Sequence, residues 1–216
     1  MRHPLEPTPR GLLIDWGGVL TGNLFASFDA HCVGLGLQPG TVTSTIRSDP
    51  RARALVFDLE CGRMSVEAFE VELADTLGVP PAGLIDALFS GSQADQAMHD
   101  MVVTLRQAGV RTGLLSNSWG ATRYDRTRWA EMFDVLVISG EHQVRKPDPR
   151  IYRIAVEMIG LPPTELVFVD DIGANLKPAR ELGMTTIRHL AAADTVAELE
   201  RVFGRSLEGV PRGRPQ

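Results

Sequence analysis

The sequence predicts an α/β fold: a doubly wound parallel sheet with a smaller helical domain set into it. Three observations carry this. Short aliphatic runs recur along the chain, and each closes in turn residues. Amphipathic helical stretches lie between most of them. One long interval, residues 22–94, holds helical patterns with no convincing strand. Alternating strands and helices imply parallel strands joined by right-handed crossovers.

The first run, Leu12-Leu13-Ile14, stops at Asp15 and the Gly17-Gly18 pair. The second spans 111–115 and is followed by Ser116-Asn117. The third, 134–138, gives way to Ser139-Gly140, and the fourth, 165–169, runs into Asp170-Asp171. A weaker fifth covers 185–188. Strands buried on both faces read as such unbroken apolar runs. Between them, residues 95–108 place Met98, Met101, Val102 and Leu105 on one helical face, with Gly109 beyond the end. Residues 149–159 do the same with Ile151, Ile154, Ala155 and Met158. Asp148 is the N-cap there, Pro149 the first helical residue and Gly160 the stop. Further helices are expected at 173–182 and 195–204.

Inside the long interval, helices are expected at 23–36, 41–48, 50–59, 64–77 and 81–89. Ser65 caps the fourth, whose Val66, Phe69, Leu73 and Leu77 share a face. The expected organisation is a core domain of residues 1–21 and 95–208, a helical cap domain of residues 22–94, and a flexible tail at 209–216 rich in Pro, Gly and Arg.

Composition narrows the function. Of 216 residues, 44% are hydrophobic and 23% charged, enough apolar material for a buried sheet. A net charge of −5 with no basic stretch argues against a nucleic-acid partner, which needs clustered Lys and Arg. The opening MRHPLEPTPR has no apolar run, and no segment approaches the ~20 apolar residues of a membrane span, so neither a signal peptide nor a membrane anchor is expected. Cys32 and Cys61 lack metal-ligand spacing and read as reduced thiols of a cytoplasmic protein.

The polar residues at the strand ends carry the chemistry. In an open parallel sheet, ligands bind beyond the carboxyl ends of the strands. Asp15 follows the first strand, Ser116 the second, and Asp170-Asp171 the fourth, while Lys146 lies after the third. Three carboxylates so close repel one another and call for a compensating cation. Mg²⁺ suits oxygen ligands, and Lys146 adds a point charge for a phosphoryl oxygen. An Asp in that setting can act as a nucleophile and form an aspartyl phosphate. Each signal alone is ordinary, since such residues also cap helices and fill turns; all of them in this order are not.

LLIDWGGVL (12–20), GLLSNSW (113–119), VRKPDPRIY (144–152) and LVFVDDIGAN (166–175) together resemble the four motifs of the haloacid dehalogenase (HAD) superfamily. The resemblance implies a HAD-like, Rossmann-like core with a helical cap. Gly62, Met64-Ser65 and the helix after them resemble the cap of the subgroup related to the epoxide-hydrolase N-terminal phosphatase domains. It implies a Mg²⁺-dependent phosphatase acting on a small phosphorylated substrate, with a homodimer left open. Asp15 would be nucleophile and metal ligand, and Ser116 and Asn117 would bind phosphate. Lys146 would hold both nucleophile and phosphoryl group. Asp171 and Asp170 would serve the metal with the Gly17 carbonyl, and Asn175 would orient the cluster.

One departure bears on mechanism. Two residues after the nucleophile the family has a second Asp, its general acid/base, and here that position is Gly17. Glycine keeps its carbonyl for the metal but offers no proton. Three outcomes are open: a substrate with a good leaving group, such as an anomeric or acyl phosphate; an acid supplied by the cap, with His31, Asp58 and Glu60 as candidates by location; or a protein that binds without turnover. Gln143 also stands where the family more often has Gly. His142 reads as a solvent-facing loop residue, and Trp16 and Trp119 as core packing before pocket lining. A metal-free dehalogenase is a weaker rival, because it leaves Asp170-Asp171 unexplained. A phospho-acceptor receiver domain would need its acidic pair after the first strand.

Overall fold

The computed structural model describes residues 9–204. The tail expected at 209–216, and the outer ends of the expected core domain, lie outside the described residues. Five strands form one parallel sheet: β1 (Gly11–Ile14), β2 (Arg111–Ser116), β3 (Val135–Ile138), β4 (Leu166–Asp170) and β5 (Thr185–Arg188), in the order β3-β2-β1-β4-β5. Each falls where its aliphatic run predicts it.

Successive strand residues point to opposite faces. Leu12, Ile14, Leu114, Val167 and Val169 therefore pack on one side, against Met98, Met101, Val102 and Leu105 of helix α6 (Gln96–Gln107) and against Val196, Leu199 and Phe203 of α11 (Ala192–Phe203). On the other side, Leu13, Leu115 and Phe168 meet Ile151, Tyr152 and Ile159 of α9 (Pro149–Ile159) and Leu176 of α10 (Gly173–Glu181). With both faces covered, the central strands β1 and β4 have no wet side, which is why they are unbroken in hydrophobicity, whereas the edge strand β5 exposes Thr185 and Arg188.

The interval after β1 is helical: α1 (Leu24–Gly34), α2 (Thr41–Ser48), α3 (Pro50–Glu60), α4 (Val66–Leu77) and α5 (Leu84–Phe89). Phe28, Val42, Val56, Phe69, Leu73 and Leu88 close a third apolar cluster, distinct from the two on the sheet. Capping follows the side chains available. Asn23 accepts from the Phe25 and Ala26 N–H groups, Ser65 from Ala68, Asp95 from Met98 and Asp148 from Arg150. α11 starts three residues ahead of expectation, because its N-cap, Ala191, carries no side-chain signal. Two four-residue helices, α7 (Trp129–Met132) and α8 (Ser139–His142), are too short to show a period in the sequence. Cys32 and Cys61 are both buried and unpaired with each other. Among the described residues no helix is long and apolar enough to cross a membrane.

α8 ends on Gln143 at φ 54°, ψ 23°, the one non-glycine residue with positive φ among those described. A left-handed conformation costs an L side chain about 1–2 kcal/mol, and glycine nothing steric. The glycine more usual at this position thus has a backbone reason. Gln143 is exposed, so little packing offsets the strain. Gln143→Gly should raise stability by about 1 kcal/mol, seen as a higher urea midpoint with an unchanged slope. A lower midpoint would refute the strain.

Candidate active site

The strand order reverses beside β1: the chain steps outward through β2 and β3, then returns to place β4 on the other side. That switch point opens a crevice at the carboxyl ends. Asp15 leaves β1 there, Asp170 ends β4, and Asp171 follows. Parallel register holds Ile14 level with Val169, so the acidic residues beyond them meet.

Lys146 joins them. It is fully buried, and its Nζ lies 2.8 Å from Asp15 Oδ1 and 2.7 Å from Asp170 Oδ2. Asn117 fixes the main chain at this point. The Lys146 N–H donates to Asn117 Oδ1 at 2.8 Å, and Asn117 Nδ2 donates to the Lys146 carbonyl at 3.1 Å. Asp170 is saturated: Oδ1 accepts from the Ile172 N–H and Asn175 Nδ2, Oδ2 from Lys146 and Asn175 Nδ2. Asp15 differs. Trp16 N–H and Lys146 both donate to its Oδ1, at 2.7 and 2.8 Å, and no hydrogen bond among the described residues engages Oδ2.

A cavity of about 290 Å³ opens on this cluster, reached by Asp15, Gly17, Asn117, Lys146, Asp171 and Asn175. Ser116 sits slightly apart. Its hydroxyl accepts from Tyr124 at 3.1 Å and lines a smaller cleft that shares Gly17, Leu24 and Asn117 with the first. Of His31, Asp58 and Glu60, the expected acid candidates, only Glu60 lines the cavity. Asp58 instead faces Arg63 at 3.8 Å. Glu60 is held by Arg145 Nε at 2.8 Å and by the Trp119 indole N–H at 2.9 Å. Trp119 both lines the cavity and packs on Phe28, Phe69 and Phe89. Trp16 packs in the core against His99, Tyr124 and Trp129. Sequence reasoning missed Tyr124, for which no motif exists, and Arg145, whose place beside Lys146 was a usable hint.

The donor set fits a hard divalent cation. Asp15, Asp170 and Asp171 each offer an oxygen, all within 4.8 Å of one another. Asp171 Oδ1 is buried with no donor in bonding geometry. Glycine at 18 lets Asp171 approach, since a Cβ there would stand 2.6 Å from its Oδ2. Three carboxylates face one ammonium. Burial, then the like charge of Asp170, pushes Asp171 up to about 6. Asp15 rises to about 7, mainly through burial, with Lys146 pulling it down and Asp170 pushing it further up. Burial alone would lower Lys146, but the pull of Asp15 and Asp170 raises it above the ordinary lysine range.

These shifts set a pH dependence. A carboxyl whose folded pKa exceeds its unfolded value of about 3.9 stabilises the fold fully below that value. The contribution is lost as pH rises through the folded pKa, here about 6 and about 7. In EDTA, the melting temperature should fall by roughly 5–10 °C between pH 5 and pH 8. A saturating divalent cation should flatten the decline, because it stabilises the ionised forms. Identical slopes with and without the cation would contradict this electrostatic account.

A family model described as haloacid dehalogenase-like hydrolase matches residues 9–183. Bifunctional epoxide hydrolase 2 of Sus scrofa is 33% identical over 135 residues, 59% of this chain and 24% of that protein, so the chain spans about a quarter of its length. (S)-2-haloacid dehalogenase 4A of Burkholderia cepacia is 31% identical over 117 residues, 49% of this chain and 48% of that one. Glyceraldehyde 3-phosphate phosphatase of Methanopyrus kandleri is 30% identical over 91 residues, 40% and 39% of the two chains. A HAD family enzyme from Bacteroides thetaiotaomicron, solved in complex with magnesium and inorganic phosphate, shares the fold at a TM-score of 0.63 and 24% identity, covering 84% of this chain and 94% of that one. The family match takes in β1 through β4 and every residue of the acidic cluster with its lysine, and the chain belongs to the haloacid dehalogenase-like hydrolase family.

Proposed function

We propose that the protein is a magnesium-dependent phosphohydrolase, acting on a small phosphorylated metabolite through an aspartyl phosphate at Asp15. The observation that carries the reading is the unmet oxygen of Asp171, buried beside Asp15 and the doubly paired Lys146. A buried carboxylate oxygen without a donor is costly, and a cation satisfies it. The magnesium–phosphate complex of the Bacteroides relative and the phosphatase among the similar proteins support the same direction.

Asp15 attacks with Oδ2, while its Oδ1 stays anchored by Trp16 N–H and Lys146. Lys146 lends charge to the incoming phosphoryl oxygens, and the Asn117 clasp keeps it in place. Tyr124 donates to Ser116 Oγ, whose own proton makes only a long, 3.5 Å bond to the Asn117 carbonyl and can turn to a phosphoryl oxygen. Asp15, Asp171 and the Gly17 carbonyl would hold the metal. Asp170, with both oxygens already engaged, serves better to orient Lys146 and Asn175 than as a ligand. Bound magnesium would supply positive charge that offsets the carboxylates and the phosphoryl group. Residues 22–94 form the cap in this reading, excluding water from the cavity.

Gly17 favours one second reading, a HAD-like protein that binds a phosphorylated ligand without turning it over. Dehalogenation is disfavoured, because a carboxylate substrate would meet three carboxylates with a single ammonium to offset them. With a generic aryl phosphate and Mg²⁺, Asp15→Asn should lower turnover by about 10⁴-fold, and EDTA should abolish it. Equal, near-zero rates for wild type and variant would leave the binding protein as the answer.

A further inference from the structure

We propose that the substrate of this site carries its phosphoryl group on a weakly basic oxygen attached to an apolar body, as in an aryl, enol or acyl phosphate. The inference rests on the phosphohydrolase reading and names what that reaction releases. Two separate features of the cavity carry it.

The first is what fills the space beside Gly17. A Cβ at this position would lie 2.7 Å from Leu24 Cδ1. Leu24 opens α1, and Asn23 pins that helix end through hydrogen bonds of 2.9 and 3.2 Å to the Phe25 and Ala26 N–H groups. The side chain two residues past the nucleophile has thus been deleted, and hydrocarbon occupies its place. Among the described residues, the two nearest candidate donors are already engaged by ion pairs. Lys146 is held between Asp15 and Asp170, and Glu60 pairs with Arg145 at 2.8 Å. With the side chain at position 17 absent and these groups paired, the leaving oxygen departs as its anion in this proposal. Phenols, with a pKa near 10, and carboxylic acids, near 4, can do so, whereas an alkanol, about as weak an acid as water, needs help worth about 10²–10⁴ in rate.

The second feature is the wall above the cluster. Leu24, Phe25, Phe28, Ile46, Val56 and Trp119 line it. Its polar points are the Thr43 hydroxyl, buried without a partner, and the Glu60–Arg145 pair. A polyol here would strand several hydroxyls against hydrocarbon, each weakening binding about tenfold. A ring or short apolar body with one polar substituent to meet Thr43 fits the roughly 290 Å³ available.

The step balances without an acid. Asp15 Oδ2 bonds to phosphorus as the bond from phosphorus to the leaving oxygen breaks. That oxygen takes the electron pair and is protonated by solvent. Water then attacks the aspartyl phosphate, the Asp15 carboxylate leaves, and the proton of water ends on inorganic phosphate.

Four monophosphates with Mg²⁺ separate the two features: phenyl phosphate, 2-phenylethyl phosphate, glucose 1-phosphate and glucose 6-phosphate. Phenyl phosphate should exceed 2-phenylethyl phosphate in kcat/KM by about 100-fold, and glucose 1-phosphate by at least about tenfold. A ratio below tenfold in either comparison overturns the proposal. Benzoyl phosphate, run alongside, tells an acyl from an aryl source. The double variant Gly17→Asp, Leu24→Ala restores both an acid and the room for it. It should narrow the phenyl to phenylethyl ratio at least tenfold, and an unchanged ratio counts against the proposal. As a readout without turnover, phenylphosphonate should raise the wild-type melting temperature more than methylphosphonate does. Equal shifts contradict the apolar pocket. Metal-dependent turnover with the wrong ranking sinks this inference alone; no metal-dependent turnover of any substrate sinks the phosphohydrolase reading and this inference with it.

Discussion

A single buried ammonium organises the site. Lys146 sits at 0% exposure between Asp15 and Asp170, and neither its burial nor theirs is tolerable alone. Bringing these charges out of water costs several kcal/mol per ion, recovered only when the geometry is good and the remaining donors and acceptors are met. The fold supplies that completion from four places. Asn117 after β2 clasps the Lys146 main chain on both sides, and Asn175 of α10 closes on both oxygens of Asp170. Tyr152 of α9 donates at 2.6 Å to the Asn175 carbonyl, tying the helix behind the sheet to the cluster. The parallel register brings the ends of β1 and β4 level, so the two carboxylates reach the same nitrogen.

Asp171 escapes this completion. It follows the strand rather than ending it, one of its oxygens has no donor, and the cluster still carries more negative than positive charge. The contrast with Asp170 separates two adjacent residues that the sequence presents as a matched pair. One is saturated and structural in its bonding. The other is half-buried, with one buried oxygen unmet and its pKa raised, which agrees with the metal-ligand role proposed for it.

The central strands were legible because burial on both faces leaves them unbroken in hydrophobicity, and the site because its polar residues interrupt those runs at their ends. What escaped notice depends on contacts between distant segments. Nothing local says that Leu24 packs into the space at Gly17, or that Tyr124 reaches Ser116 Oγ. Ser116 itself lines a neighbouring cleft more than the main cavity, because the chain turns at Asn117 and sends that side chain to Lys146. The strained backbone at Gln143 was visible only as an unusual residue type, since φ cannot be read from glutamine. The short α7 and α8 carry too few residues for a period.

Arg145 links the two halves of the molecule through a neighbour relation in the chain. It precedes Lys146, donates to the Lys146 carbonyl at 3.0 Å, and pairs with Glu60 at the end of α3. Glu60 also receives the Trp119 indole N–H, and its own carbonyl accepts from Ser139 Oγ, which in turn accepts from the Ser118 N–H. Immediately beyond, Gly62 meets Gly140 so closely that a Cβ would stand 2.6 Å from the Gly140 oxygen. The contact between helical layer and sheet thus has a polar part centred on Glu60, beside an aromatic part where Trp119 packs on Phe28, Phe69 and Phe89. The apolar wall, by contrast, belongs largely to the helical cluster. A displacement of α3 away from the sheet would release Glu60 from Arg145, and so disturb the segment that holds Lys146. The position of α3 and the placement of the buried ammonium are thus mechanically joined, with the Glu60–Arg145 pair as the joint.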